Sequence, residues 1–406
     1  MLAHLAYKSN RSYVFRDYHW NLDHIPWSKE QLQKVYQGRH PTTPANALLA
    51  GPAVGGFWPP GDPAPRAVST EWFDLVCPPE RRRIIRTEGI KAPIRWEKGD
   101  VHFKTWLKVL AEAPEECIEI MPSSEDSFPQ IFDVYVWGSD RVLSLWEEFR
   151  DSPVSQLQRP SHVVSAAVEK NKPLFLPRGP KPKEPVSNEP FDRMLAIHIR
   201  RGDYKNACVH FGTWNVSFYG WNQLPHLADR FQHPDGWTWG KNTPENMEIF
   251  MKQCYPDDDF IIKKIRAAKW DYEQAAKPGE PRLLDVLFLM TNEKAEWQTK
   301  IKEVLRAEGW GTVVTSKDLR LDSEEHEVGM VVDMELARRA AVFIGNGVSI
   351  LPYVLVSTLL NCLLSGPHSQ AASHIEGLWT NDSTLLTASF NRIQHCIHTY
   401  NNLAVG

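Results

Sequence analysis

The run Met194-Leu-Ala-Ile-His-Ile199 limits the possible folds of this chain more than any other feature. It is short, apolar and without polar alternation, the pattern of a strand covered on both faces. Leu283-Leu-Asp-Val-Leu-Phe-Leu-Met290 is a second such run. Glu293 to Ala307 then carries the spacing of an amphipathic helix. Gly311-Thr-Val-Val-Thr315 follows as a strand, Val331 to Ala341 as a helix, Val342-Phe-Ile344 as a strand and Ser349 to Leu360 as a helix. This alternation predicts an α/β fold with a parallel, doubly wound sheet. Ligands of such sheets sit outside the carboxyl ends of the strands.

The first half is less regular. Residues 1–9 read as a helix expected to begin upstream of Met1, and Arg11-Ser-Tyr-Val-Phe-Arg16 as a strand. Residues 38–70, rich in Pro, Gly and Ala, are expected to be loop. Cys117-Ile-Glu-Ile-Met121 and Ile131-Phe-Asp-Val-Tyr-Val-Trp137 are predicted strands, and 141–150 and 162–170 predicted helices. Pro177-Arg-Gly-Pro-Lys-Pro-Lys-Glu-Pro185 holds four prolines in nine residues, which excludes helix and central strand. It reads as a stiff linker. A chain of 406 residues suits two domains. The expected division is 1–176, a linker over 177–190, and 191–406.

A net charge of −4 and no basic domain argue against a nucleic-acid partner. The one dense basic run, Arg81-Arg82-Arg83, reads as a solvated helix face. The 16 tryptophans could floor a carbohydrate site, but each is more simply a core residue. No apolar run is long enough for a transmembrane helix, and no secretory signal is visible. The six cysteines include no CxxC pair, so no zinc site is expected, although disulfides are permitted. Asp257-Asp-Asp259 contains a DxD, but it follows Pro256 in a polar stretch and reads as solvated loop. His395, Cys396 and His398 are not expected to hold a metal. Sequons at Asn10, Asn215 and Asn381 would suit a secretory protein.

Three constellations carry candidate chemistry. His198, Arg200, Arg201 and Asp203 follow directly on the first buried strand. Adjacent arginines there are costly unless they meet an anion. A guanidinium fork matches phosphate oxygens and keeps its charge. An ion pair to a carboxylate such as Asp203 accounts for the arginines equally well. Phe343-Ile-Gly-Asn-Gly-Val-Ser349 is a strand, a glycine turn and a helix start. Its backbone N–H groups could meet a pyrophosphate, or Ser349 could be an ordinary N-cap. Asp333 could accept two hydrogen bonds from the edge of guanine, or be a helix-start acid favoured by the dipole.

Taken in order, these motifs resemble those of the protein O-fucosyltransferases. His198-Ile-Arg-Arg-Gly-Asp-Tyr-Lys-Asn-Ala-Cys208 resembles the HxRxG(S)D-x-x-N-A-C segment of the members that modify EGF repeats. The paired arginines are also similar to the HxRRxD of α1,6-fucosyltransferases. Val332-Asp333 through Ser349 resembles VD followed by FIGNxxSS, and Asp285 to Glu293 resembles a strand ending in T-D/N-E. Leu2 to Phe15 resembles the family's opening helix and strand.

The resemblance implies a GT-B architecture, two Rossmann-like domains facing a cleft, with the first domain incomplete at its start. It implies transfer of fucose from GDP-fucose to a hydroxyl of a protein or glycan, with inversion and without metal or other cofactor. It points to the ER or Golgi. Arg200 would be catalytic, holding the β-phosphate and neutralising the departing diphosphate. His198, Arg201, Asp203 and Asn346 would support the donor, Asp333 would read guanine, and Ser349 with its helix N-terminus would hold phosphate. There are departures. The arginine segment is one residue shorter, Ile350 stands where the family has a second Ser, and Leu351 where it has an aromatic residue. The family's glycine-rich loop would precede Met1. Two other readings follow: a nucleotide- or partner-binding member without turnover, and a transferase of the same fold with another nucleotide sugar.

Overall fold

The computed structural model describes residues 1–20, 29–37, 39–122, 130–178, 186–216, 218, 220–225, 231–234, 236, 238, 240–277 and 281–345. They form two compact units. Among the described residues one comprises Met1–Ser165 with Asp322–Val331, and the other Ala166–Leu321 with 332–345. The first passage between units falls inside the helix His162–Asn171, ahead of the proline-rich stretch. Residues 179–185 of that stretch lie outside the described residues, as do Ser349 to Leu360 and everything else beyond Gly345.

In the first unit the described strands form four separate two-stranded pairs. Val14–Phe15 with Val68–Ser69 and Arg83–Arg86 with Ile118–Met121 are parallel. Tyr18–His19 with Thr42–Thr43 and Leu49–Ala50 with Arg159–Pro160 are antiparallel. The expected continuous, doubly wound sheet is not formed by the described residues of this unit. Its longest helix, Gly99–Glu112, buries Phe103, Trp106 and Leu110 at helical spacing. Arg11 closes that helix by donating to the carbonyls of Leu110, Ala113 and Glu115, two of them at 2.9 Å or less. A cation is favoured there because the last carbonyls lack partners. A disulfide joins Cys77 to Cys117.

Two expectations for this unit are corrected. Ile131–Trp137 is not a strand, because Val134–Trp137 is a helical turn. The Asp133 carboxylate accepts from the Val136 N–H at 3.3 Å, and side chain–backbone bonding of this kind starts helices. Arg81, Arg82 and Arg83 do not form a helix face, although Arg81 and Arg83 are exposed to solvent as expected. They end a 3₁₀ turn and begin a strand, and each meets a carboxylate. Arg82 bridges Asp74 at 2.6 Å and Glu119 at 3.1 Å, Arg83 meets Glu115, and Arg81 meets Glu116.

The second unit holds one parallel sheet of β1 (Met194–Ile199), β2 (Val286–Thr291), β3 (Thr312–Thr315) and β4 (Val342–Gly345). Their order is β3-β2-β1-β4. Met290 and Gly345 both stand opposite His198, one on either side of β1. Met194, Leu195, Ala196, Leu287 and Phe288 have no exposed surface, as the unalternating runs require. Leu195, Ile197 and Ile199 share one face with Leu287 and Leu289. That face packs against Ile261 and Ile265 of α3 (Asp258–Gln274) and Ile301 and Leu305 of α4 (Ala295–Ala307). On the opposite face Phe288 meets the edge of Phe175. After β1 come α1 (Lys205–Thr213) and α2 (Pro244–Cys254), joined by the Cys208–Cys254 disulfide. The helix α5 (Gly329–Arg339) precedes β4.

Candidate functional site

The strand order locates the candidate site. The chain moves outward from β1 to β2 and β3, then returns to place β4 on the other side of β1. The connections therefore diverge at the carboxyl ends of β1 and β4, and a crevice opens at such a switch point. His198 and Arg200 leave β1 there, beside Gly345 of β4.

His198 is half-buried, and its pKa is pushed down to about 3 by burial and then by the charge of Arg200. It is a neutral imidazole near pH 7, able to donate one hydrogen bond and accept another. The Arg200 guanidinium lies over the Tyr204 ring at 5.5 Å. Tyr204 closes the 3₁₀ turn Gly202–Tyr204, which Gly202 enters with φ +63°, in the left-handed region.

Arg201 is held differently. Its backbone N–H donates to Asn292 Oδ1 at 2.8 Å. Its guanidinium donates to Glu293 Oε2 at 3.1 Å, the Pro256 carbonyl at 2.9 Å and Asp258 Oδ1 at 3.5 Å. The rings of Tyr255 and Trp297 each lie 5.0 Å from it. Ion pairing of an arginine was one sequence reading, but the partners are Glu293 and Asp258. The side chain of Asp203 lies outside the described residues.

Asp258 corrects the expectation for the acidic triplet. Asp257 is the N-cap of α3, accepting from the Phe260 N–H at 2.8 Å. Asp258 also accepts from Trp297 Nε1 at 2.8 Å and Lys300 Nζ at 3.3 Å. Burial acts to raise its pKa, but the bonds from Trp297 and Lys300 and the charges of Arg201 and Lys300 outweigh that and lower it. The triplet is thus a helix cap and an ion-pair partner rather than solvated loop.

Asp333 sits within α5, past its first turn, so a helix-start role does not apply. Its Oδ2 accepts from the Ser316 hydroxyl at 2.6 Å. Ser316 directly follows β3, which brings Asp333 to the same carboxyl edge of the sheet as Arg200. Oδ1 is buried and accepts no hydrogen bond among the described residues. Burial raises the Asp333 pKa to about 7, against the opposing Ser316 bond. Asn346 and Ser349 lie outside the described residues.

One edge of the sheet thus gathers Asp333 at β3, Glu293 after β2, His198 and Arg200 at β1, and Gly345 on β4. The sequence did not single out Trp297 or Ser316, and it marked Asp258 only within the acidic triplet and Asn292 only within the T-N-E ending.

No protein-family description matches the chain, and no curated protein does. Among solved structures it is similar to POFUT1 in complex with GDP, at 15% identity over 88% of this chain and 87% of that one, with a TM-score of 0.47. POFUT1 in complex with GDP-fucose matches at 15% identity over 88% of each chain, with a TM-score of 0.46.

Proposed function

We propose that this chain binds a nucleotide sugar at the β1/β4 switch point and transfers the sugar to a hydroxyl of a protein or glycan. The motif resemblance selects GDP-fucose as donor and inversion as outcome. The observation that carries the reading is the delivery of Arg200 and neutral His198 to the carboxyl end of β1, at the switch point of a parallel sheet, where such sheets bind their ligands.

The geometry supports a division of labour. Two strand spacings separate the end of β3 from the end of β1, roughly 10 Å, the scale of a nucleoside diphosphate. Asp333 at one end would accept from the guanine N1–H and N2–H groups. Arg200 at the other would hold the β-phosphate. A transition state with oxocarbenium character leaves negative charge on the departing diphosphate. A fixed guanidinium stabilises that charge where it develops. This reading assigns the role to Arg200 and uses no metal or cofactor. Ser349 would contribute a phosphate contact, Asn346 would contact the donor, and Asp203 would support the same site.

The two disulfides among the described residues favour an oxidising compartment, in keeping with a secretory protein. Among the described residues no helix is long and apolar enough to cross a membrane. Calorimetry with GDP and GDP-fucose tests the proposal. Binding that weakens at least tenfold in Arg200→Ala is expected, the size of losing a charge-assisted contact. No binding, or binding indifferent to Arg200→Ala, would sink it. A panel of nucleotide sugars separates GDP-fucose from other donors.

A further inference from the structure

The twin arginines are neighbours in sequence, but Arg201 is built into the scaffold. Its guanidinium meets two carboxylates and a carbonyl between two aromatic rings. Lys300 takes the second oxygen of Asp258, so two cations and two carboxylates balance in one cluster. A diphosphate approaching Arg201 would also approach Glu293 and Asp258. The backbone of Arg201 is tied as well, through its N–H to Asn292. That bond fixes the planar peptide joining Arg200 to Arg201, and with it the rotation that aims Arg200.

We infer that Arg201, anchored by Asp258 and Glu293, is the positioning residue for Arg200, locking the turn after β1 so that Arg200 alone of the pair meets phosphate. This rests on the donor-binding reading above. A displacement of about 1 Å in a positioned group can cost on the order of a hundredfold. A partial loosening of the anchor should therefore cost about tenfold. The anchor acts through Arg200, so its loss should not touch recognition of the base.

Calorimetry on the full chain tests this with GDP and with guanosine. Asp258→Asn is expected to weaken GDP about tenfold and leave guanosine within about twofold. In an Arg200→Ala background the same substitution should cause no further loss for GDP, because the group it positions is gone. Arg201→Lys, which keeps the charge but loses the fork, repeats the comparison should Asp258→Asn fail to fold. The inference is overturned by equal losses for GDP and guanosine, by no loss, or by a loss that adds fully to that of Arg200→Ala. If Arg200→Ala weakens GDP and neither anchor variant does, only the positioning role falls. If the wild-type protein binds neither ligand, the donor reading falls with it.

Discussion

Replacing Asp333 by Asn should stabilise the ligand-free protein in alkaline solution and do nothing for it in acid. The carboxyl is raised from 3.8 to about 7 by burial, and Oδ1 accepts nothing among the described residues. A raised folded-state pKa means that the folded protein holds a proton which the unfolded chain has already released. The stability linked to that proton is complete below about pH 4, declines between about pH 4 and 7, and is absent above. A shift of about three units corresponds to about 4 kcal/mol. That is the ceiling on what Asp333→Asn recovers at pH 8. Asn keeps an acceptor for Ser316, so the 2.6 Å bond need not be lost. Urea unfolding of both proteins at pH 4.5 and pH 8 measures the difference. A gain of about 2–4 kcal/mol at pH 8 that shrinks to about 1 kcal/mol or less at pH 4.5 is expected. An equal effect at both pH values, or a variant less stable at pH 8, would refute the reasoning. The same proton links to ligand binding. A guanine edge requires the carboxylate, so GDP affinity should fall about tenfold per pH unit below 7 and level off above.

Two further outcomes follow from the scaffold around Arg200. Gly202→Ala forces a side chain into left-handed backbone and brings its Cβ to 3.3 Å from the Asn292 amide nitrogen, beside the bond to Arg201; chemical denaturation should show a loss of about 1–2 kcal/mol, and an unchanged midpoint would contradict the strain. The Cys208–Cys254 disulfide closes a separation of 46 residues, so the double Ala variant should lose about 3–4 kcal/mol of unfolding free energy, whereas a loss below about 1 kcal/mol would show that packing alone holds α1 to α2.

The second unit was the more legible in sequence. β1 and β2 are covered on both faces, so their residue types are nearly uniform and the strands show as apolar runs. The end of such a strand is a fixed place in a parallel sheet, and His198 and Arg200 could be located from the run before them. Ile131–Trp137 failed because its apolar character says nothing about backbone direction, which the carboxylate of Asp133 decides locally. The partners of Arg201 were hidden for another reason. Asp258 is 57 residues away and Glu293 is 92, and both meet it only once the sheet and α3 are assembled. The environment of Asp333 was equally hidden. A carboxylate in an amphipathic helix looks the same in sequence whether solvated or enclosed.

The place of β1 in the sheet has one more consequence. It is hydrogen-bonded to β2 along one side and β4 along the other. Its end cannot swing without disrupting both ladders, so the backbone leading to Arg200 is ordered during folding rather than by the ligand. Little entropy then remains to be lost there on association, and a rigid half-site of this kind favours slow dissociation. Variation in donor preference among chains with this sheet should accordingly arise from the turn after β3, a strand with one neighbour among the described residues.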